Sequence, residues 1–252
     1  MDNLMNLKVS KIKFAYGKKD ILNELSFSCK KGEVISIVGP NGSGKTTLLK
    51  CINRILEAKD GAVTIGEKDV LKMKYEEVAK NIAYVPQMLK ESFSVDVIDV
   101  VLMGRTPHIK WKVGDEDVNL VIKVMQKLGI ADLASEKYSN LSGGQRQKVL
   151  IARALVQETD IYLLDEPISF LDIKNQIEVM SEARKIAKDQ NKTVIMVIHD
   201  LNMAKKYSDK IVLMNKGKVI DFGASEDVLN CKNIKKVYGV DTDIINGYII
   251  PK

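Results

Sequence analysis

The densest chemistry in this sequence lies in Gly39-Pro40-Asn41-Gly42-Ser43-Gly44-Lys45-Thr46, which fits the pattern G-x-x-x-x-G-K-[ST]. Glycines at these spacings let consecutive backbone N–H groups turn inward around phosphate oxygens, where side chains would block the approach. The helix expected from Lys45 onward, with Thr47 in its first turn, adds the positive end of its dipole. Lys45 has the reach for β- and γ-phosphates, and the Thr46 hydroxyl suits Mg²⁺. A second acidic anchor follows at Ile161-Tyr162-Leu163-Leu164-Asp165-Glu166. Four apolar residues make a buried strand, and Asp165 emerges at its carboxyl end, where open α/β sheets bind ligands. An aspartate there can hold Mg²⁺ through water, and Glu166 is placed to accept a proton from an attacking water. Together the two segments specify phosphoryl chemistry on a nucleoside triphosphate, by a hydrolase or a kinase.

A third segment, Leu141-Ser142-Gly143-Gly144-Gln145, opens another helix. Ser142 is a good N-cap, and the two glycines permit close backbone approach, so the chain carries a second helix start suited to an anion. One triphosphate needs only one such cradle. A second one makes sense if it closes over the nucleotide held by another copy or a similar subunit.

Elements that would position these residues can be read from hydrophobic period. Leu7 to Phe14 and Leu22 to Cys29 alternate as strands across a turn at Gly17-Lys18-Lys19-Asp20. Glu33 to Val38 is a β-branched run expected to be buried on both faces, ending at the glycine-rich loop and followed by a helix over Lys45 to Leu56. Ala62 to Ile65 and Ile82 to Val85 read as short strands. From Ser94 to about Glu158 helical periods take over, at Val95 to Met103, Val118 to Leu128 and Gly143 to Val156. Strand character returns at Ile161 to Leu164 and Thr193 to Ile198, with a helical stretch between. Lys210 to Phe222 reads as a hairpin about Asn215-Lys216-Gly217, and the tail as a short helix and a hairpin at Asn246-Gly247. The fold class expected is therefore α/β, a phosphate-loop core of mostly parallel sheet with an antiparallel part, interrupted by a helical insertion. Its boundaries fall at about 1–87 and 159–225 for the core, 88–158 for the helical subdomain and 226–252 for a C-terminal extension.

Composition narrows the class. The longest uncharged stretch, Val34 to Gly44, is about half the ~20 apolar residues of a membrane-spanning helix, so membrane spans would come from another chain. The N-terminus shows no secretory signal pattern. Cys29, Cys51 and Cys231 are scattered without metal-ligand spacing, which suits buried thiols in a reduced compartment. The net charge of +6 is spread over 39 basic and 33 acidic residues that interleave, so no nucleic-acid partner is expected.

With these segments in this order, the chain resembles the nucleotide-binding subunits of ATP-binding-cassette (ABC) transporters over about residues 5–225, and segment 141–145 matches the family signature. The resemblance implies ATP and Mg²⁺ as cofactors and ATP hydrolysis as the activity. It implies that Tyr16 stacks on adenine, although strand alternation with Phe14 would equally make Tyr16 a core aromatic. By the same resemblance, Gln87 senses Mg²⁺ and faces the membrane partner. Asp165 anchors the metal, Glu166 is the catalytic carboxylate, Asp172 lies in the loop that speaks across the dimer, and His199 is the switch histidine. Phe170 departs from the small residue usual in that loop. The implied partners are a second copy in an ATP-sandwich homodimer, transmembrane permease subunits and, indirectly, an extracytoplasmic solute-binding protein. The implied location is cytoplasmic, peripheral on the inner face of the cell membrane.

Three local stretches resemble importers of iron–siderophore complexes, haem and cobalamin. They are Val101 to His108, Leu171 to Ile173 with Gln176 to Val179, and His199 to Ala204. Within the first, Arg105 and His108 read either as partner contacts or as a polar helix end. The alternative function is a soluble cassette ATPase without a membrane partner, for example in iron–sulfur cluster assembly.

Overall fold

The computed structural model describes residues 5–87, 94–169 and 171–252. In chain order the first elements are β1 (Met5–Tyr16), β2 (Lys19–Lys30), β3 (Val34–Val38), α1 (Lys45–Ile52), β4 (Asp60–Ile65) and β5 (Lys68–Asp69). Then come α2 (Tyr75–Asn81), β6 (Ile82–Val85), α3 (Val97–Leu102), α4 (Asp115–Lys127), α5 (Gly143–Leu155), β7 (Ile161–Asp165) and α6 (Ile173–Gln190). The chain closes with β8 (Thr193–Val197), α7 (Leu201–Tyr207), β9 (Lys210–Asn215), β10 (Lys218–Ala224), α8 (Ser225–Val228), α9 (Cys231–Tyr238), β11 (Thr242–Ile245) and β12 (Tyr248–Pro251). Contacts divide the molecule into two compact units, one of residues 1–73 and 181–252 and the other of residues 74–180.

The first unit contains two kinds of sheet. Strands β2, β1, β4 and β5 form an antiparallel sheet in that order. Its alternation is re-phased once on each long strand. Lys11 at φ 49° and Glu24 at φ 55° sit at register shifts in the β1–β2 ladder. After Lys11 the buried set moves from Leu7 and Val9 to Ile12 and Phe14, as a bulge requires. Strand β3 instead pairs in parallel with both β8 and β9, and β10 returns antiparallel on β9. Every residue of β3 and β8 is buried, the mark of a parallel sheet covered on both faces. The β9–β10 turn, Lys216-Gly217, and the β11–β12 turn, Asn246-Gly247, have positive φ at both residues, the hairpin geometry that follows strand twist.

Helix α1 buries Leu48, Leu49 and Ile52 but stops there, short of the expected Leu56. Arg54 lies at φ 55°, outside helical space, and its guanidinium donates to the Met73 carbonyl, so the last turn is traded for a tertiary contact.

In the second unit, β6 and β7 pair in parallel and helices α3, α4 and α5 pack on one another. Helix α4 shows the one-sided pattern of a surface helix, burying Val121 and Met125 and starting with Asp115, Glu116 and Asp117 at its positive end. The expected helix at Val95 to Met103 is shorter and passes into a 3₁₀ turn at Met103–Arg105. There Gly104 lies so close to α5 that a Cβ would stand 2.0 Å from the Arg153 carbonyl oxygen. Arg105 is turned inward, donating to Asp117 at 2.8 Å, the Val156 carbonyl at 2.7 Å and Glu158 at 2.7 Å. His108 bonds the Gln157 carbonyl at 2.9 Å. These bonds tie Arg105 and His108 to the segment that follows α5, as a polar helix end would be tied, and His108 is exposed.

All three cysteines are free. Cys29 and Cys51 are buried, and burial pushes both thiols up to about 12. Cys231 is exposed, which corrects the expectation of a buried thiol: it opens α9, whose buried side is carried by Ile234 and Val237.

Candidate functional site

The phosphate loop joins β3 to α1 in the first unit. Gly39 has φ 153°, and a Cβ there would lie 2.2 Å from the Met214 carbonyl oxygen, so the strand end of β9 leaves room only for glycine. The Ser43 N–H donates to the Pro40 carbonyl at 3.2 Å, and the Gly217 N–H donates to the Ser43 carbonyl at 3.1 Å. The β9–β10 turn therefore braces the loop from outside. Lys45 is 6% exposed, and its ammonium donates to the carbonyls of Gly39 at 2.8 Å and Pro40 at 3.0 Å. Ser43 is 3% exposed and its hydroxyl is buried with no hydrogen-bond partner. An orphaned hydroxyl costs about 1–3 kcal/mol unless something bonds it. A ligand rich in acceptors, such as a phosphate, fits that cradle. Thr46 and Thr47 lie half-buried in the first turn of α1.

Tyr16 ends β1 and is 53% exposed, while Phe14, edge-on to it with centroids 4.8 Å apart, is 7% exposed. Phe14 is thus the core aromatic and Tyr16 the available face. His199 is exposed, two residues beyond β8, and Asp200 caps α7 by accepting from the N–H groups of Asn202 at 2.8 Å and Met203 at 2.9 Å.

The acidic pair belongs to the second unit. Asp165 ends β7, is 2% exposed and accepts from the Tyr84 hydroxyl at 3.1 Å. Burial, aided by this carboxylate, holds the Tyr84 phenol well above its ordinary pKa. Glu166 stands at φ 51°, a left-handed conformation unusual for glutamate and of the kind concentrated at functional sites. Its carboxylate accepts from the Gln87 side chain at 2.6 Å and from the Ser169 hydroxyl at 2.9 Å. Gln87 and Glu166, 79 residues apart, are thereby brought together.

The third segment is a helix start with its own side chains accounted for. Ser142 accepts from the Gln145 N–H at 3.3 Å, and Gln145 accepts from the Ser142 N–H at 2.9 Å, a reciprocal capping box at the head of α5. Leu141 is buried, while the backbone of Gly143 and Gly144 is left at the helix tip. Asp172 caps α6 in turn, accepting from the Asn175 N–H at 2.8 Å and its amide at 2.9 Å. Phe170 lies outside the described residues.

The family model for ABC transporters matches residues 22–169, more than half of the chain. The chain belongs to the ABC transporter family. Among ABC relatives, an uncharacterised ATP-binding protein of Methanocaldococcus jannaschii is 49% identical over 249 residues, covering 99% of this chain and 97% of that protein. The iron(3+)-hydroxamate import ATP-binding protein of Bacillus subtilis is 36% identical over 242 residues, with 95% and 90% covered. Among solved cassettes, the dimeric post-hydrolysis state of one bound to ADP and phosphate superposes with a TM-score of 0.78 at 28% identity, covering 87% of this chain and 98% of that one. The expected fold class stands: a phosphate-loop ATPase cassette with parallel and antiparallel sheet. As in other ABC ATP-binding subunits, the activity is that of an ATPase.

Among the described residues no helix is long and apolar enough to cross a membrane, and no group of three or more His, Cys, Asp and Glu is placed to hold a metal by itself. Tyr84 and Ser169, the hydrogen-bond donors to Asp165 and Glu166, were not among the expected site residues. Their signal was weak: Tyr84 shares Tyr84-Val85-Pro86-Gln87 with Gln87, and Ser169 is a turn residue three beyond Glu166.

Proposed function

We propose that this chain is the ATP-hydrolysing motor of an importer for metal complexes of the iron–siderophore, haem or cobalamin kind. The observation that carries ATP hydrolysis is the phosphate loop with its orphaned Ser43 hydroxyl and inward Lys45, in a chain that also sets an acidic pair at the end of β7. The importer reading is supported by the likeness to the iron(3+)-hydroxamate import ATP-binding protein. The loop from Gly39 to Gly44, Pro40 apart, gives backbone N–H groups to the phosphates, Lys45 neutralises the β- and γ-phosphates, and Tyr16 stacks on adenine. Thr46, Asp165 and Gln87 are the residues that would hold Mg²⁺, which when bound neutralises charge on the transferring phosphoryl group. All three present oxygen donors, the set that suits this ion. Glu166 takes the proton of the attacking water, and its bonds to Gln87 and Ser169 fix the carboxylate's orientation beforehand. His199 contacts the γ-phosphate.

In a homodimer the Leu141–Gln145 segment of one copy closes on the nucleotide of the other, with Asp172 in the loop at that interface. The γ-phosphate then holds the dimer and its loss releases it, a ligand-biased two-state switch. The helical subdomain of about residues 88–158 and Gln87 pass the motion to permease subunits, which place this chain on the inner face of the membrane. An extracytoplasmic solute-binding protein delivers the cargo.

The deciding experiment is co-purification from gently solubilised membranes with a tag on this chain. A polytopic membrane protein recovered in stoichiometric amount, with ATPase activity lost in Lys45→Ala, is the expected result. A soluble complex with no membrane protein would overturn the importer reading in favour of a soluble cassette ATPase.

A further inference from the structure

The C-terminal residues after α8 take no part in the functional reading so far, yet they bond to α7, which begins two residues beyond His199, and lie beside Gly39 of the phosphate loop. At one end, the side-chain amide of Asn202, near the start of α7, pairs with the backbone of Ile249 in β12. It donates to the Ile249 carbonyl at 3.2 Å and accepts from the Ile249 N–H at 2.8 Å. Asn202 lies three residues beyond His199, and its own N–H is held by Asp200, so this clamp fixes the root of the histidine loop. Ile249 is 7% exposed, which anchors β12 in the packing rather than in solvent.

At the other end, Tyr238 closes α9 with its hydroxyl beside the backbone of Gly39, the first residue of the phosphate loop. That hydroxyl is buried and meets no hydrogen-bond partner of normal geometry. Phenylalanine would fill the same space without the cost of burying an unpaired hydroxyl. Burial pushes the phenol up to about 12, so it stays a neutral group able to donate or accept. Between the two ends the segment is tied together by α9 packed on β11, the Lys235–Asp241 pair at 2.8 Å and the β11–β12 ladder.

We infer that residues 231–252 form a strut that fixes His199 relative to the phosphate loop, with Asn202 and Tyr238 as positioning residues for ATP hydrolysis. The inference rests on the reading of His199 as the γ-phosphate contact. Neither residue touches the nucleotide. Asn202 acts on the histidine loop through α7, and Tyr238 acts on Gly39.

The test is steady-state ATPase kinetics on the purified chain, with thermal denaturation as a control. Asn202→Ala is expected to lower kcat about tenfold, leave KM for ATP within about twofold and move Tm by no more than about 2 °C. Tyr238→Phe, which removes only the hydroxyl, should lower kcat at least about threefold with the same pattern. The decisive measurement is a double-mutant cycle with His199→Ala: in that background Asn202→Ala should cost nothing further. An equal loss in both backgrounds, or no loss in either, overturns the strut and leaves His199 untouched. Wild-type turnover in His199→Ala alone would instead sink the reading of the site, and the strut with it. Should Asn202→Ala fail to fold, Asn202→Asp keeps the acceptor for the Ile249 N–H, loses the donor and puts the same question.

Discussion

Lys45 directs its ammonium at the carbonyls of Gly39 and Pro40, holding the loop's own backbone in the place of a ligand's oxygens. Charge-assisted bonds of this kind are each worth about 1.5–3 kcal/mol. Lys45→Ala should therefore weaken ATP binding roughly 10–100-fold, as read by fluorescent-nucleotide titration, since ~1.4 kcal/mol is a factor of ten. Glu166 poses a different question, because its carboxylate already accepts two bonds from Gln87 and Ser169. Glu166→Gln keeps the size and an acceptor oxygen but loses the basic carboxylate. Turnover should fall by about 10²–10³ with ATP affinity retained, the signature of a lost general base. Wild-type turnover in that variant would remove Glu166 from the role. The loop and this acidic pair were legible in the sequence because each is local, a fixed spacing next to an apolar strand. Tyr84 was not, because it reaches Asp165 from 81 residues away through the pairing of β6 with β7.

At the scale of elements, what the sequence hid were places where tertiary contact overrode local period. Helix α2 carries a single buried residue, Val78, so it has no hydrophobic stripe to read. Helix α1 loses its expected last turn at Arg54, and β1 changes phase at Lys11. The close approach of Gly104 to α5 is equally invisible in one dimension. Gly104→Ala must push the Arg153 carbonyl away from 2.0 Å, and overpacking of this kind costs about 1–3 kcal/mol. A lowered Tm is the expected outcome, and an unchanged one would mean that α3 and α5 part freely. Beside it, the guanidinium of Arg105, and then the Gly114 N–H, hold the Asp117 carboxyl below its ordinary range. A depressed folded pKa gives stability that is present above the unfolded value, about 3.9, and lost as pH falls through the folded one. Asp117→Asn should therefore narrow the stability gap to wild type as pH drops below about 4, measured as Tm against pH.

For the whole molecule, the question is why one chain keeps two glycine-rich helix starts. Folding explains the glycine of the phosphate loop, since at Gly39 the Met214 carbonyl leaves no room for a side chain. It does not explain Gly144. A Cβ there would meet Asn175 at 3.5 Å and Leu171 at 3.6 Å, ordinary contact distances, and glycine at a helix start gives up about 1 kcal/mol of helix propensity relative to alanine. Helix propensity and packing would both accept alanine there, so the fold of the protomer by itself gives no reason for glycine. An anion approaching the N-terminus of α5 would supply one, and the capping box has already turned Ser142 and Gln145 toward their own backbone. If that anion is the γ-phosphate held by a second copy, Glu166→Gln with Mg-ATP should elute from a sizing column as a dimer, and with ADP as a monomer. Adding Gly144→Glu places a carboxylate against the phosphate. The double variant should then stay monomeric in ATP while its Tm and its ATP affinity, set by its own loop, remain those of Glu166→Gln. A dimer that survives Gly144→Glu would show that the α5 tip does not face the nucleotide, and a loss of ATP affinity in the monomer would place its work within the protomer instead.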